Sequence, residues 1–191
     1  MPYTAKQFAN LSGVPGLSEQ LVANHLTLYQ GYVTNANKLL EILDAKEPGT
    51  VEYSELQRRL GWEWNGMRLH ELYFENLSAE STSLAEGGQL KSEIDRIYGS
   101  LESWQKNFAA VGAMRGIGWV VLYYDPEAKE LFNTWITEHD GGHLAGAVPL
   151  LVMDVFEHAY MLDYQLKRAD YIAAFMKAID WKMVSGRFTG A

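Results

Sequence analysis

The chain of 191 residues contains no cysteine. That excludes disulfides, cysteine-bound zinc ribbons and iron–sulfur clusters, so a metal held by this chain has no thiolate donor. Basic residues are in deficit: 16 Lys and Arg against 24 Asp and Glu leave a formal net charge of −8. A nucleic-acid partner is therefore not expected, because it requires a basic face that displaces phosphate counterions. Every apolar run is broken by a charge or a glycine before it could span a bilayer, so no membrane partner is expected either. The opening, MPYTAKQFANLSG, lacks a basic stretch followed by an apolar one, so no secretory signal is read and a cytoplasmic location is expected. Histidine is scarce as well, with 5 in the chain.

What is present is the composition of an ordinary soluble domain, 48% hydrophobic and 21% charged, long enough to bury a real core. Aromatic residues are plentiful, with 6 Trp, 11 Tyr and 7 Phe, and read first as core packing. From Leu17 to Ser78 the apolar spacing is helical. One long helix runs through LSEQLVANHLTLYQGYVTNANKLLEILDAK, capped by Ser18 and ended near Glu47-Pro48-Gly49. A second occupies VEYSELQRRLGWEWNGMRLHELYFENLS, starting near Tyr53 or Ser54, with an irregularity expected at Gly61 or Gly66. Together they predict an antiparallel helical hairpin.

The small, polar segment SAESTSLAEGGQ reads as a linker, dividing the chain into an N-terminal helical hairpin domain, 1–80, and a C-terminal domain, 81–191. Two short helices are expected over Leu90–Tyr98 and Leu101–Val111. GIGWVVLYYDPEAKELFNTWI then predicts a β-hairpin around Asp125-Pro126, AVPLLVMDV a third strand, and the remainder closing helices. The fold class is α+β: a long helical hairpin, then an α/β half with a small three-stranded antiparallel sheet.

His25, Tyr29 and Tyr32 fall at i, i+4 and i+7 of the first helix, on an inward face. His70 sits among Leu69, Leu72 and Tyr73 in the second. Taken singly, each is better read as a core histidine satisfied by one hydrogen bond. Asp154 and His158, four apart where the third strand ends, can turn to a common point. The four make a set of three imidazoles and one carboxylate, suited to iron, manganese or zinc. Glu157 reads either as an acceptor for a ligand's second ring nitrogen or as a solvated acid. His143 reads as a loop histidine with no assigned role.

These residues carry a resemblance. DVFEHAYMLDY resembles the D-V-W-E-H-A-Y-Y-x-D-Y signature of the iron/manganese superoxide dismutases. LHELYFENL is similar to their N-H-x-F-Y-W-N-x-L motif, YVTNANKLL to Y-V-x-x-x-N, GIGWVVL to G-S-G-W-x-W-L, and RADYI to R-P-x-Y-L. Order and spacing hold from about Leu17 to Phe188. The resemblance implies His25, His70, Asp154 and His158 as ligands of one iron or manganese ion per subunit, between the two domains. It implies Tyr32 as a gateway tyrosine, His139 as the group tuning the metal's redox potential through its bound solvent, and Arg168 at the mouth of the substrate funnel. Gly66 stands where the family is small when that tuning group comes from the sheet side. Glu157 is implied at a homodimer interface.

The implied activity is antioxidant: superoxide is disproportionated to oxygen and hydrogen peroxide by a metal alternating between trivalent and divalent states. A diverged metal-binding relative with altered redox activity and a helical interaction module are the other readings. This sequence departs from the family pattern at several points. A gapless alignment sets Asn24 at the first ligand position, whereas deletion of a helical bulge residue sets His25 there, and imidazole is the better donor. Tyr29 and Met161 replace a histidine and a tyrosine that meet across the family's dimer, and Phe74 and Phe156 replace tryptophans.

Overall fold

The computed structural model describes residues 2–80 and 82–191. Two long helices come first, α1 (Glu19–Asp44) and α2 (Val51–Glu75). In α1 the buried positions Leu21, His25, Tyr29, Val33, Ala36, Leu39 and Leu43 recur every three or four residues, which draws one stripe along the helix. Ser18 caps it, its hydroxyl accepting from the Leu21 N–H. Thr50 does the same for α2 through the Tyr53 N–H, so this helix starts at Val51, ahead of the predicted Tyr53 or Ser54. The expected irregularity at Gly61 or Gly66 is absent, and α2 runs unbroken through both. Gly66 serves close packing instead: a Cβ there would lie 2.5 Å from Cδ1 of Tyr32.

Two shorter helices follow, α3 (Gln89–Tyr98) and α4 (Leu101–Gly112). The sheet consists of β1 (Gly118–Asp125), β2 (Glu130–Thr137) and β3 (Val148–Asp154) in the order β2-β1-β3, antiparallel throughout. The central strand β1 is buried from Gly118 to Tyr123, as its continuous apolar run requires. Beyond a 3-10 turn at Glu157–Ala159 the chain ends in α5 (Met161–Tyr164), α6 (Arg168–Ala178) and α7 (Trp181–Thr189). These are seven α-helices and three strands among the described residues, the α+β arrangement expected.

One buried cluster runs from Tyr29, Met67 and Phe74 of the hairpin to Trp119, Val152 and Phe175. The segment after α2 is tied down, with the Ser78 N–H donating to the Ala178 carbonyl at 2.9 Å. Among the described residues no helix is long and apolar enough to cross a membrane.

Candidate metal centre

Four polar side chains meet inside this framework. His25 lies in the buried stripe of α1 near its N-terminal end, His70 near the end of α2, Asp154 at the last position of β3 and His158 in the 3-10 turn just after it. The Asp154 Oδ2 is 3.1 Å from Nε2 of His25, 3.0 Å from Nε2 of His158 and 3.7 Å from Nε2 of His70. One donor atom from each residue lies within 4.8 Å of all the others, a group that can hold a metal ion. Asn24 is exposed and accepts from the Gln20 side chain, so α1 brings His25 to this point and not its neighbour.

The hydrogen bonds set the protonation pattern. The Nδ1 of His70 lies 2.6 Å from the Gly66 carbonyl, which can only accept, so Nδ1 carries the hydrogen. Its Nε2 is then a bare lone pair, buried and without a hydrogen-bond partner. It faces a carboxylate oxygen that is also an acceptor. Two lone pairs facing each other out of water are unfavourable until a cation lies between them. The donor set therefore fits a metal of the iron, manganese or zinc type.

Burial pushes His70 well below its ordinary pKa and lowers His25 too, although the bond to Asp154 works the other way at His25. Both rings are neutral, the form that ligates. Burial by itself would raise Asp154, but the charge and hydrogen bond of His158 and the bond from His25 outweigh it and hold the carboxyl well below the usual range. The other Asp154 oxygen, Oδ1, accepts from the Phe156 N–H at 2.8 Å, and the Asp154 carbonyl accepts from Tyr171 at 2.7 Å. These bonds fix the direction of the carboxylate.

A second imidazole stands beside the cluster. His139 is fully buried, and its Nδ1 accepts from the Trp119 indole N–H at 3.0 Å. Burial lowers its pKa to about 4, so the ring is neutral and the hydrogen sits on Nε2. From there it donates to the Tyr32 oxygen at 2.7 Å. Tyr32, pushed up to about 12 by burial with help from the Asp154 and Glu63 charges, keeps its own O–H free to point elsewhere. Its ring stacks on His70 at 5.1 Å, the close approach that Gly66 permits. Phe156 stacks on both His139 and His158, at 4.8 and 5.1 Å, and Phe74 meets His25 edge-on at 4.9 Å.

Other predicted residues lie elsewhere. The Arg168 guanidinium donates to the carbonyls of Met114 and Gly116, both at 2.7 Å, and to the Tyr160 hydroxyl at 3.2 Å. It braces the loop leading into β1 and makes no bond to the cluster. Tyr29 and Met161 are not a pair within the chain: Tyr29 is buried and donates to Glu71 at 2.9 Å, whereas Met161 is exposed. Glu157 is exposed next to His158. His143, assigned no role from sequence, is hydrogen-bonded to both Tyr123 and the His139 carbonyl. The only sequence signal for it was its place four residues after His139, which is ambiguous in a glycine-containing loop.

Comparisons with known proteins point to one family. Residues 86–187 match the family model described as iron/manganese superoxide dismutases, C-terminal domain. The chain is 39% identical over 182 residues to the Fe superoxide dismutase of Cupriavidus metallidurans, covering 92% of this chain and 90% of that one. It is 36% identical over 180 residues to Mn superoxide dismutase 2 of Haloferax volcanii, covering 93% and 89%. To the Fe superoxide dismutase of Methanothermobacter thermautotrophicus it is 37% identical over 175 residues, covering 89% and 85%. With its fold, its histidine–aspartate cluster and relatives matched over most of their length, the chain belongs to the iron/manganese superoxide dismutase family.

Proposed function

We propose that this protein disproportionates superoxide to oxygen and hydrogen peroxide, with one iron or manganese ion per subunit held by His25, His70, Asp154 and His158. The observation that carries the ligand set is the orphaned lone pair of His70 Nε2, aimed at the Asp154 carboxylate with His25 and His158 around it. The bound metal supplies one-electron chemistry, alternating between trivalent and divalent states. Asp154 brings the one negative charge of the ligand set, which favours the higher oxidation state.

Forming peroxide also consumes protons. Tyr32 holds one on its hydroxyl at the edge of the site, and because its oxygen accepts from His139 Nε2–H that proton is free to face inward. His139 stays neutral and its one N–H holds the Tyr32 oxygen, so its influence on bound solvent is read as passing through the Tyr32 hydroxyl. Phe74, Phe156 and Trp119 exclude bulk water, which strengthens each of these dipoles. Arg168 keeps the loop at 114–116 in place and is read as an outer guide for the anion.

We also read the active form as a homodimer. Exposed Glu157 is flanked by exposed apolar side chains, Met161 at 44%, Leu162 at 54% and Leu166 at 86%. The divisions 1–80 and 81–191 are proposed as the two domains that hold the metal between them. The test is a purified, metal-analysed protein assayed with superoxide in its iron and manganese forms. Dismutation in at least one is expected; metal retained in both forms without dismutation would overturn the activity while leaving the site.

A further inference from the structure

The bonds of His143 were not needed to place His139 in the fold, yet they converge on it. The turn after β2 begins with Glu138 in the left-handed region, φ 51°, and Gly142 follows with φ 102°. Thr137 and Gly141 bridge its base, the Thr137 N–H donating to the Gly141 carbonyl at 2.7 Å. Across the turn, His143 Nε2 lies 2.8 Å from the carbonyl of His139. A carbonyl only accepts, so His143 Nε2 carries the hydrogen. Nδ1 is 2.9 Å from the Tyr123 hydroxyl, which burial pushes up to about 12 and so keeps as a donor.

Tyr123 and Trp119 are four apart on β1, on the same face of the strand. Each bonds one imidazole of a pair that is also four apart: Trp119 the ring of His139, Tyr123 the ring of His143. The first bond sets the tautomer of His139. The second acts through His143 on the His139 backbone.

We propose that Tyr123 and His143 are positioning residues that clamp the His139 carbonyl, so that His139 Nε2–H is held on the Tyr32 oxygen. The His139 carbonyl fixes the second bond as His143 Nε2–H to His139 O, and the protonated Tyr123 hydroxyl is placed to donate to His143 Nδ1. Without it, the His139 backbone keeps the turn's own ladder and the Glu138 N–H bond to Ile117. The ring keeps the Trp119 bond and the packing of Trp62 and Phe156, but among the described residues no side chain then holds the His139 carbonyl itself. A displacement of about 1 Å at such a group is enough to cost on the order of 100-fold in rate. His143 and Tyr123 line an open cavity of about 410 Å³ with Arg68, Leu69 and Pro149, so shortening His143 enlarges existing space without removing a packed core side chain.

The proposal concerns the dismutase site, and its test is arranged to stand apart from that activity. In ¹⁵N-histidine-labelled, metal-free protein, the His139 Nε2–H signal and its exchange with solvent report the Tyr32 bond directly. His143→Ala and Tyr123→Phe are expected to speed that exchange relative to the wild type. In the metal-loaded protein both are expected to shift the midpoint potential and slow dismutation about tenfold at unchanged metal content. His143→Gln, whose amide N–H reaches the same carbonyl, is expected to restore most of each. Exchange and potential unchanged in both variants, or a Gln variant as impaired as the Ala variant, would overturn the clamp. Tyr123→Phe carries the test if His143→Ala fails to fold. A wild-type protein without dismutation would defeat the proposed function and leave the exchange measurement to decide the clamp.

Discussion

The four-residue cluster and the turn that carries His139 sit side by side but are built in different ways. The cluster is delivered mainly by regular elements: two helix faces, a strand end and the short turn that follows it. Its side chains are aimed by the 3.6 and 2.0 periodicities of the backbone, and packing along α1 and α2 holds them. The 137–143 turn has no such period. His139 is aimed by a left-handed residue, a ladder of two bonds and three side chains that grip its ring and carbonyl. The proposed donor atoms thus come mainly from regular elements, whereas the group beside them is set by individual hydrogen bonds. The first should fail all at once when a donor is lost, and the second by degrees.

The sharpest way to break that contrast is at the cluster. His70→Ala removes the orphaned lone pair and should abolish metal retention, lowering dismutation by more than about 100-fold, beyond what loss of an outer partner costs. Metal analysis beside the wild type decides it; a variant that keeps its full metal content would contradict the ligand assignment.

Acid should separate the two regions next. His139 has a folded pKa of about 4 against an ordinary 6.5, so the unfolded chain binds its proton first as pH falls. Stability is therefore complete above about 6.5 and is lost as pH drops toward 4, by on the order of 3 kcal/mol at this one residue. Urea titrations of metal-free wild type and His139→Gln across that window should give the variant the flatter dependence. Equal slopes would show that His139 is not held neutral by burial.

His139→Ala in the metal-loaded protein should leave metal content near that of the wild type and reduce dismutation about 10- to 100-fold, through loss of the N–H to Tyr32. Simultaneous loss of metal would erase the distinction between the two regions. The smallest effect is expected at Tyr29→Phe, whose ring stays beside His70 at 6.5 Å while its hydroxyl bonds Glu71 outside both regions. It removes one of the bonds to buried Glu71, which still has Arg68 at 2.6 Å, and should cost about 1 kcal/mol in urea denaturation. Dismutation at full metal loading should not change; a large loss of activity would mean that Tyr29 carries protons for the site.

Much of this was legible in residue order. The hairpin, the three strands and the delivery of His70, Asp154 and His158 followed from apolar spacing and a recognisable signature. At α1 one residue of register separates Asn24 from His25, and the preference for His25 rests on its donor chemistry, not on spacing. Spacing also suggests an irregularity at Gly61 or Gly66 where α2 runs unbroken, whereas the small residue that the resemblance implies at Gly66 fits the room made for the Tyr32 ring. Spacing passed over His143, because a histidine in a turn has no periodicity to aim it and Tyr123 lies 20 residues away.

Sequence alone determined the absence of thiolate donors, the α+β element order and a nitrogen–oxygen ligand inventory, since these depend on composition and local periodicity. Tertiary structure decided that His25 faces Asp154 while Asn24 faces outward, that His70 presents a bare Nε2, and that His139 carries its hydrogen toward Tyr32. Each of those depends on which acceptor or donor a distant segment places within hydrogen-bond distance. A proton on a ring nitrogen is assigned by its partner across space, and no spacing along the chain specifies that partner.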